Sequence, residues 1–156
     1  MKKFSKEDII LLHKLLVEQY GGDSNIRDNE LLDLSINSPY QTFDGKDLYD
    51  GVVRKAVHLC YSLVMNHPFV DGNKRIGAHC LVILLDANNY ALSYSQDELI
   101  DVIMGIASPN LTENDLLEWV ENHIKKSDLK WDLILNFLFF TKTYQFYLEM
   151  HQSWYF

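Results

Sequence analysis

The stretch His67–Arg75, "HPFVDGNKR", sets a histidine, an aspartate, an asparagine, a lysine and an arginine between two apolar runs. On its N-terminal side Val53, Ala56, Val57, Cys60 and Val64 form one stripe at helical spacing, which ends near His67-Pro68. On its C-terminal side a helix is predicted from about Lys74 to Ala87. It carries Ile76, Cys80, Leu81, Ile83, Leu84 and Leu85, and its second half is apolar almost all round, the mark of a central buried helix. The stretch therefore reads as a polar loop joining two core helices, and the rest of the fold has to be built around that pair.

Working outward, helices dominate. Ser5 and Asp8 form a capping-box pattern, Ile9, Leu12, Leu16 and Tyr20 follow at helical spacing, and Gly21-Gly22 stops the run. A short helix is predicted over Asn29–Asn37, ending before Pro39. Between Tyr40 and Tyr49 the pattern changes: Asp44-Gly45 sits between Thr42-Phe43 and Leu48-Tyr49, a hairpin signal. An irregular loop is the competing description. A lone two-stranded hairpin is marginal, so this one must lean on the helical body or a ligand. After the central helix, "DANNYAL" reads as a turn and Gln96–Ala107 as a helix. Ser108-Pro109 breaks the chain, and Thr112 with Asp115 opens a last helix whose buried face is Leu116, Leu117, Val120 and Ile124. The expected fold class is all-α, with one small β-hairpin.

Residues 127–156 differ in composition and hold half of the chain's aromatic residues. They read as an aromatic-rich extension to a domain spanning 1–126: an added helix on the body, a self-association surface, or a tail foreign to the domain. The run "DLILNFLFF" within them is too short to span a bilayer. No run elsewhere approaches a membrane span, and "MKKFSKEDII" lacks the apolar core of a signal peptide. A cytoplasmic protein with no membrane partner is expected. The formal net charge of -8 argues against a non-specific grip on nucleic acid, which needs a basic face. Cys60 and Cys80 lie in apolar helical runs and read as buried thiols.

The chemistry concentrates in the opening stretch. A helix starting near Asn73 presents unpaired N–H groups and a positive dipole end, where Lys74 and Arg75 are unfavourable unless an anion binds. With one, the same arrangement is a phosphate site. Gly72 permits a sharp turn and a close approach of backbone. Asn73 either caps the helix or contacts a phosphate oxygen. Asp71 is either a turn aspartate or a ligand of a Mg²⁺ shared with phosphate. His67 is either structural or a general base for a hydroxyl nucleophile. Phe69 reads as the apolar anchor that pins the loop. His13, His58, His79, His123 and His151 show no metal-ligand spacing and read as structural. Neither a G-x-x-x-x-G-K-[ST] loop nor an Asp-Phe-Gly motif occurs.

"HPFVDGNKR" resembles the active-site signature of the Fic/Doc superfamily, and the likeness extends from about Asp23 to Lys126. "LLDLSINSPYQTF" before the motif and "LVILLDANNYAL" after it are similar to the death-on-curing branch. The resemblance implies a compact Fic-type helical bundle with a hairpin flap. It implies that His67 deprotonates a target hydroxyl, that Asp71 holds Mg²⁺, and that Gly72, Asn73, Lys74 and Arg75 bind the phosphates of ATP. The segment Tyr40, Gln41, Thr42 and Phe43 would be the flap that docks an extended target by main-chain pairing.

Position 74 is lysine where AMP-transferring members have glycine, and the second basic residue of that motif falls at Ala78. In the death-on-curing branch the lysine accompanies transfer of the γ-phosphoryl group. Pro68 and Gly72 instead follow the AMP-type form. The resemblance thus implies a toxin of a toxin–antitoxin pair that phosphorylates a hydroxyl of a protein similar to elongation factor Tu. The antitoxin would restrain it through a disordered segment that folds on binding. No Ser/Thr-x-x-x-Glu-Gly inhibitory motif occurs in the chain. The alternatives are transfer of AMP to a protein hydroxyl, a nucleotide-binding module without chemistry, and a structural role driven by the aromatic extension.

Overall fold

The computed structural model describes residues 1–108 and 110–126, so the expectations for residues 127–156 lie outside the described residues. Helix α1 spans Lys6–Tyr20 and opens on a complete capping box between Ser5 and Asp8. Its buried side is Ile9, Leu12, His13, Leu16 and Val17, and Gly21 at φ 82 terminates it. Helix α2 spans Asn29–Asn37, with the Asp28 carboxylate accepting from the N–H groups of Glu30 and Leu31. Pro39 then sits inside a 3-10 turn over Ser38–Tyr40.

Strands β1 (Thr42–Phe43) and β2 (Lys46–Asp47) pair antiparallel, with Phe43 opposite Lys46. The two residues between them, Asp44 at φ 50 and Gly45 at φ 72, both have positive φ, which is the turn that matches the twist of a hairpin. This hairpin does lean on the body. Lys55, only 6% exposed, places its ammonium 2.6 Å from the Asp47 carboxylate and also donates to the Tyr49 carbonyl. Tyr49 stacks on the His58 ring at 3.8 Å.

Helices α3 (Gly51–Asn66) and α4 (Asn73–Ala87) form the centre. Most of α4 is buried, including Ile76, Ala78, Cys80, Leu81, Leu84 and Leu85. A Cβ on Gly77 would come within 2.7 Å of the Val64 side chain and 3.1 Å of the Cys60 carbonyl, so this glycine sets how closely α3 and α4 approach. Cys60 and Cys80 are buried free thiols, and burial raises the pKa of each. They behave as small core hydrophobes.

Strand β3 (Tyr90–Leu92), helices α5 (Gln96–Ala107) and α6 (Glu113–His123), and strand β4 (Ile124–Lys126) complete the described chain. The Thr112–Asp115 capping box is present, and a second one forms between Ser95 and Glu98. β3 and β4 form a second two-stranded antiparallel sheet, with Leu92 opposite Ile124. Sequence reading anticipates only a turn at "DANNYAL" and places Ile124 on α6. The turn exists, with Asn89 at φ 65, but Tyr90 to Leu92 leave it as a strand. Three-residue strands are too short for alternation to register, and their partner lies far along the chain. The fold is an all-α bundle with one small hairpin and a second two-stranded sheet between distant segments. No helix among the described residues is long and apolar enough to cross a membrane.

Candidate active site

The loop between α3 and α4 is held from several directions. His67 ends α3 in the left-handed region at φ 47. Its side chain is exposed, and Nδ1 lies 3.2 Å from the Met65 carbonyl oxygen. A carbonyl only accepts, so this contact places the proton of the neutral ring on Nδ1 and leaves the Nε2 lone pair directed elsewhere. That is the form a general base needs.

Downstream, Pro68 to Val70 run alongside the segment that leads into α2. Arg27 N–H and Asp28 N–H donate to the Pro68 carbonyl, and Val70 N–H donates to Asn25 O at 3.0 Å. Ile26 and Phe69 face each other in an isolated antiparallel bridge. The Arg27 guanidinium adds a bond of 2.8 Å to Asn66 O. Since the flanking residues make the bridge bonds, the N–H and C=O of Phe69 are turned away from it and need another partner.

Asn73 is that partner. Its Oδ1 accepts from Phe69 N–H at 2.9 Å, and its Nδ2 donates to the Phe69 carbonyl at 2.9 Å. The residue is 6% exposed. Both ends of the amide are therefore spent on the loop. The side chain therefore does not cap α4. Phe69 itself is buried, at 1% exposed. Asn73→Ala should leave two buried main-chain groups without partners and cost about 2–4 kcal/mol. A shifted midpoint in denaturant unfolding, at unchanged slope, measures it; an unshifted midpoint would refute the assignment.

Gly72 is the N-cap of α4, at φ 77 and ψ 11, and no side chain caps the helix. Two features require glycine here. An L side chain is strained at that φ, and a Cβ would stand 3.0 Å from Nε2 of His13. The first turn of α4 contains no acidic residue. Its main-chain donors and dipole end face the loop together with Lys74 and Arg75, an arrangement suited to an anion. Lys74 is half-buried and has no hydrogen bond or ion pair with the described residues. Arg75 is 5% exposed; it donates to Gly21 O at 3.1 Å and lies 3.6 Å from the Asp71 carboxylate. Gly22 packs over both groups, since a Cβ there would meet Asp71 Oδ2 at 2.4 Å.

Asp71 keeps a half-exposed carboxylate, with Oδ1 accepting from Gly72 N–H at 2.6 Å. No group of three or more His, Cys, Asp or Glu among the described residues can hold a metal. A cation at Asp71 would thus have one protein carboxylate and need its other oxygens from phosphate and water, which is how Mg²⁺ is ordinarily held. The donor set fits Mg²⁺ with a polyphosphate and does not fit a closed all-protein metal site.

The hairpin divides the flap residues. Thr42 and Phe43 are exposed strand residues, Phe43 at 76%. Gln41 is exposed and its carbonyl closes the hairpin base by accepting from Leu48 N–H. Tyr40 precedes the strand pair. It belongs to the 3-10 turn, is half-buried, and its buried hydroxyl has no partner among the described residues. Lys3 Nζ lies 5.5 Å from its ring centre, and Tyr40 stands outside strand β1. The Lys55 anchor and His67 lie on the same helix, about 18 Å apart along its axis.

Sequence reading missed the contribution of α1 and the glycines after it: His13, Gly21 and Gly22 all touch the loop or its charged side chains. The available signal was a histidine on the apolar face of α1, beside Leu12 and Leu16.

The Fic/DOC family model matches residues 3–85, from the start of the chain through most of α4. The Toxin Doc of Mycolicibacterium smegmatis is 31% identical over 105 residues, covering 66% of this chain and 78% of that relative.

Proposed function

Because this chain belongs to the Fic/DOC family, we propose that it is a Doc-like toxin that moves the γ-phosphoryl group of ATP onto a hydroxyl of a target protein. The observation that carries the choice of phosphoryl over AMP transfer is Lys74. It puts an ammonium without a partner among the described residues in the first turn of α4, next in sequence to the buried guanidinium of Arg75. A glycine there would let a phosphate come against the backbone. A lysine fills that space and adds charge, favouring a different seat for the nucleotide.

In this reading His67 Nε2 takes the proton of the target hydroxyl as its oxygen bonds to the γ-phosphorus. The bond from that phosphorus to the β-phosphate oxygen breaks, and ADP leaves. Lys74, Arg75 and the N–H groups that open α4 hold the phosphates and take up the charge that builds on them. Asp71 would hold Mg²⁺, which when bound supplies positive charge shared with phosphate oxygens. Asn73 and Phe69 keep the loop in shape. The exposed edge of Thr42 and Phe43 docks the target in extended form. An extended segment covers the distance from the hairpin anchor to His67 in about five or six residues.

The catalytic unit is residues 1–126. The target is a protein similar to elongation factor Tu, and modifying it would stop translation. The partner is an antitoxin whose disordered segment folds on this chain. AMP transfer is the second reading, favoured by Gly72 and Pro68.

Parallel reactions with ATP labelled at the α- or γ-phosphorus, Mg²⁺, elongation factor Tu and a host lysate test the proposal. Label from γ alone is the expected result. Label from α would establish AMP transfer, and label from neither would leave a binding module.

A further inference from the structure

His13, a histidine outside the motif, touches the loop directly. It lies on the buried face of α1 and is 1% exposed. Its Nε2 is 2.8 Å from the main-chain oxygen of Asp71, and its ring stacks on Phe69 at 3.8 Å with planes 14° apart. Its Nδ1 is buried and has no hydrogen-bond partner among the described residues. The Asp71 oxygen can only accept, so Nε2 carries the proton and donates. Burial holds the pKa below the ordinary imidazole value, in keeping with a neutral ring.

A phenylalanine or leucine would fill this position without leaving a buried nitrogen orphaned. The histidine is therefore explained by what its other nitrogen does. That nitrogen grips the peptide joining Asp71 to Gly72, the point where the loop becomes α4. The fit is close on both sides, since a Cβ on Gly72 would approach Nε2 to 3.0 Å and Val17 to 3.8 Å. Asp71 is consequently tethered by its own carbonyl to α1 and by its carboxylate to Gly72 N–H, with Arg75 beside it.

We propose that His13 is a positioning residue of the active site: its Nε2–H fixes the Asp71–Gly72 peptide, and so sets the Asp71 carboxylate and the opening N–H groups of α4 relative to one another. As far as Mg²⁺ and ATP are concerned, this rests on the function proposed above. His13 touches neither substrate nor metal. It acts through the main chain, as outer partners orient a metal ligand.

The test compares full-length His13→Phe, which keeps the ring and burial but lacks the donor, with His13→Gln, which returns an N–H at similar reach. Three quantities are read: the Gly72 amide resonance without nucleotide, the affinity for Mg²⁺·ATP by calorimetry, and the Mg²⁺ dependence of labelled-ATP transfer. We expect His13→Phe to melt cooperatively, to shift the Gly72 resonance, and to lose about 10- to 100-fold in Mg²⁺·ATP affinity and in transfer at limiting Mg²⁺. Excess Mg²⁺ should restore part of the transfer loss, and His13→Gln should regain most of all three. An unshifted Gly72 resonance with wild-type affinity in His13→Phe would overturn the proposal. So would His13→Gln behaving like His13→Phe. If His13→Phe does not fold, His13→Met against His13→Gln replaces it, two side chains of similar length that differ in the donor. If the wild-type chain transfers no label, the proposed reaction fails, while the resonance and the affinity still decide the role of His13.

Discussion

His67→Ala is expected to lower label transfer by about 10²- to 10⁴-fold, the usual contribution of a positioned general base. The variant should fold as the parent does. The side chain is exposed and makes one hydrogen bond, to the carbonyl two residues earlier. The left-handed φ of 47 is only a little less favourable for alanine than for histidine. A stability change within about 0.5 kcal/mol is therefore anticipated, as at other surface positions. Thermal melting and a label assay on the same preparation separate the two effects. In cells, the alanine variant should no longer arrest growth. Growth arrest at parental strength would remove His67 from the role of base, whatever the assay in solution gave.

The second large effect is at position 74. Lys74→Met keeps the length of the side chain and a good helix former but removes the ammonium. Transfer of γ-label should fall by about 10²- to 10³-fold, the loss seen when one donor to a developing oxyanion is removed. Lys74→Gly removes bulk as well as charge, and gives the first turn of α4 the open backbone of the AMP-type motif. In that variant label from the α-phosphorus should rise above the parental level while γ-label falls. Stability should change little in Lys74→Met, because the lysine has no partner among the described residues. Undiminished γ-transfer in both variants would show that Lys74 does not select the phosphoryl group, and the case for phosphoryl over AMP transfer would lose its main support.

Helix ends were legible wherever a local device writes them: the Ser5–Asp8 and Thr112–Asp115 boxes, Gly21 after α1, and Asp44-Gly45 in the hairpin. Each is a short-range bond or a φ preference that needs no knowledge of the rest of the chain. The buried stripes of α3 and α4 were legible for a similar reason, since helical periodicity fixes which side chains share a face. The β3–β4 pair was not, because two three-residue strands carry no period and depend on a partner brought near only by folding.

The candidate site divides along the same line. The sequence by itself determined that one short loop carries a histidine, a carboxylate and two cations at the start of a core helix, because covalent order and helix geometry hold those residues together. Only the tertiary structure decided how each is held there. Asn73 turns inward because the bridge between Ile26 and Phe69 leaves Phe69's main chain without partners. Arg75 and Asp71 are set by Gly21 and Gly22, and the Asp71 peptide is held by His13 from 58 residues away. Tyr40 lies in the 3-10 turn before the hairpin, with its hydroxyl buried. Buried polar groups must find partners, and in a compact chain those partners come from whichever segment packing brings within reach.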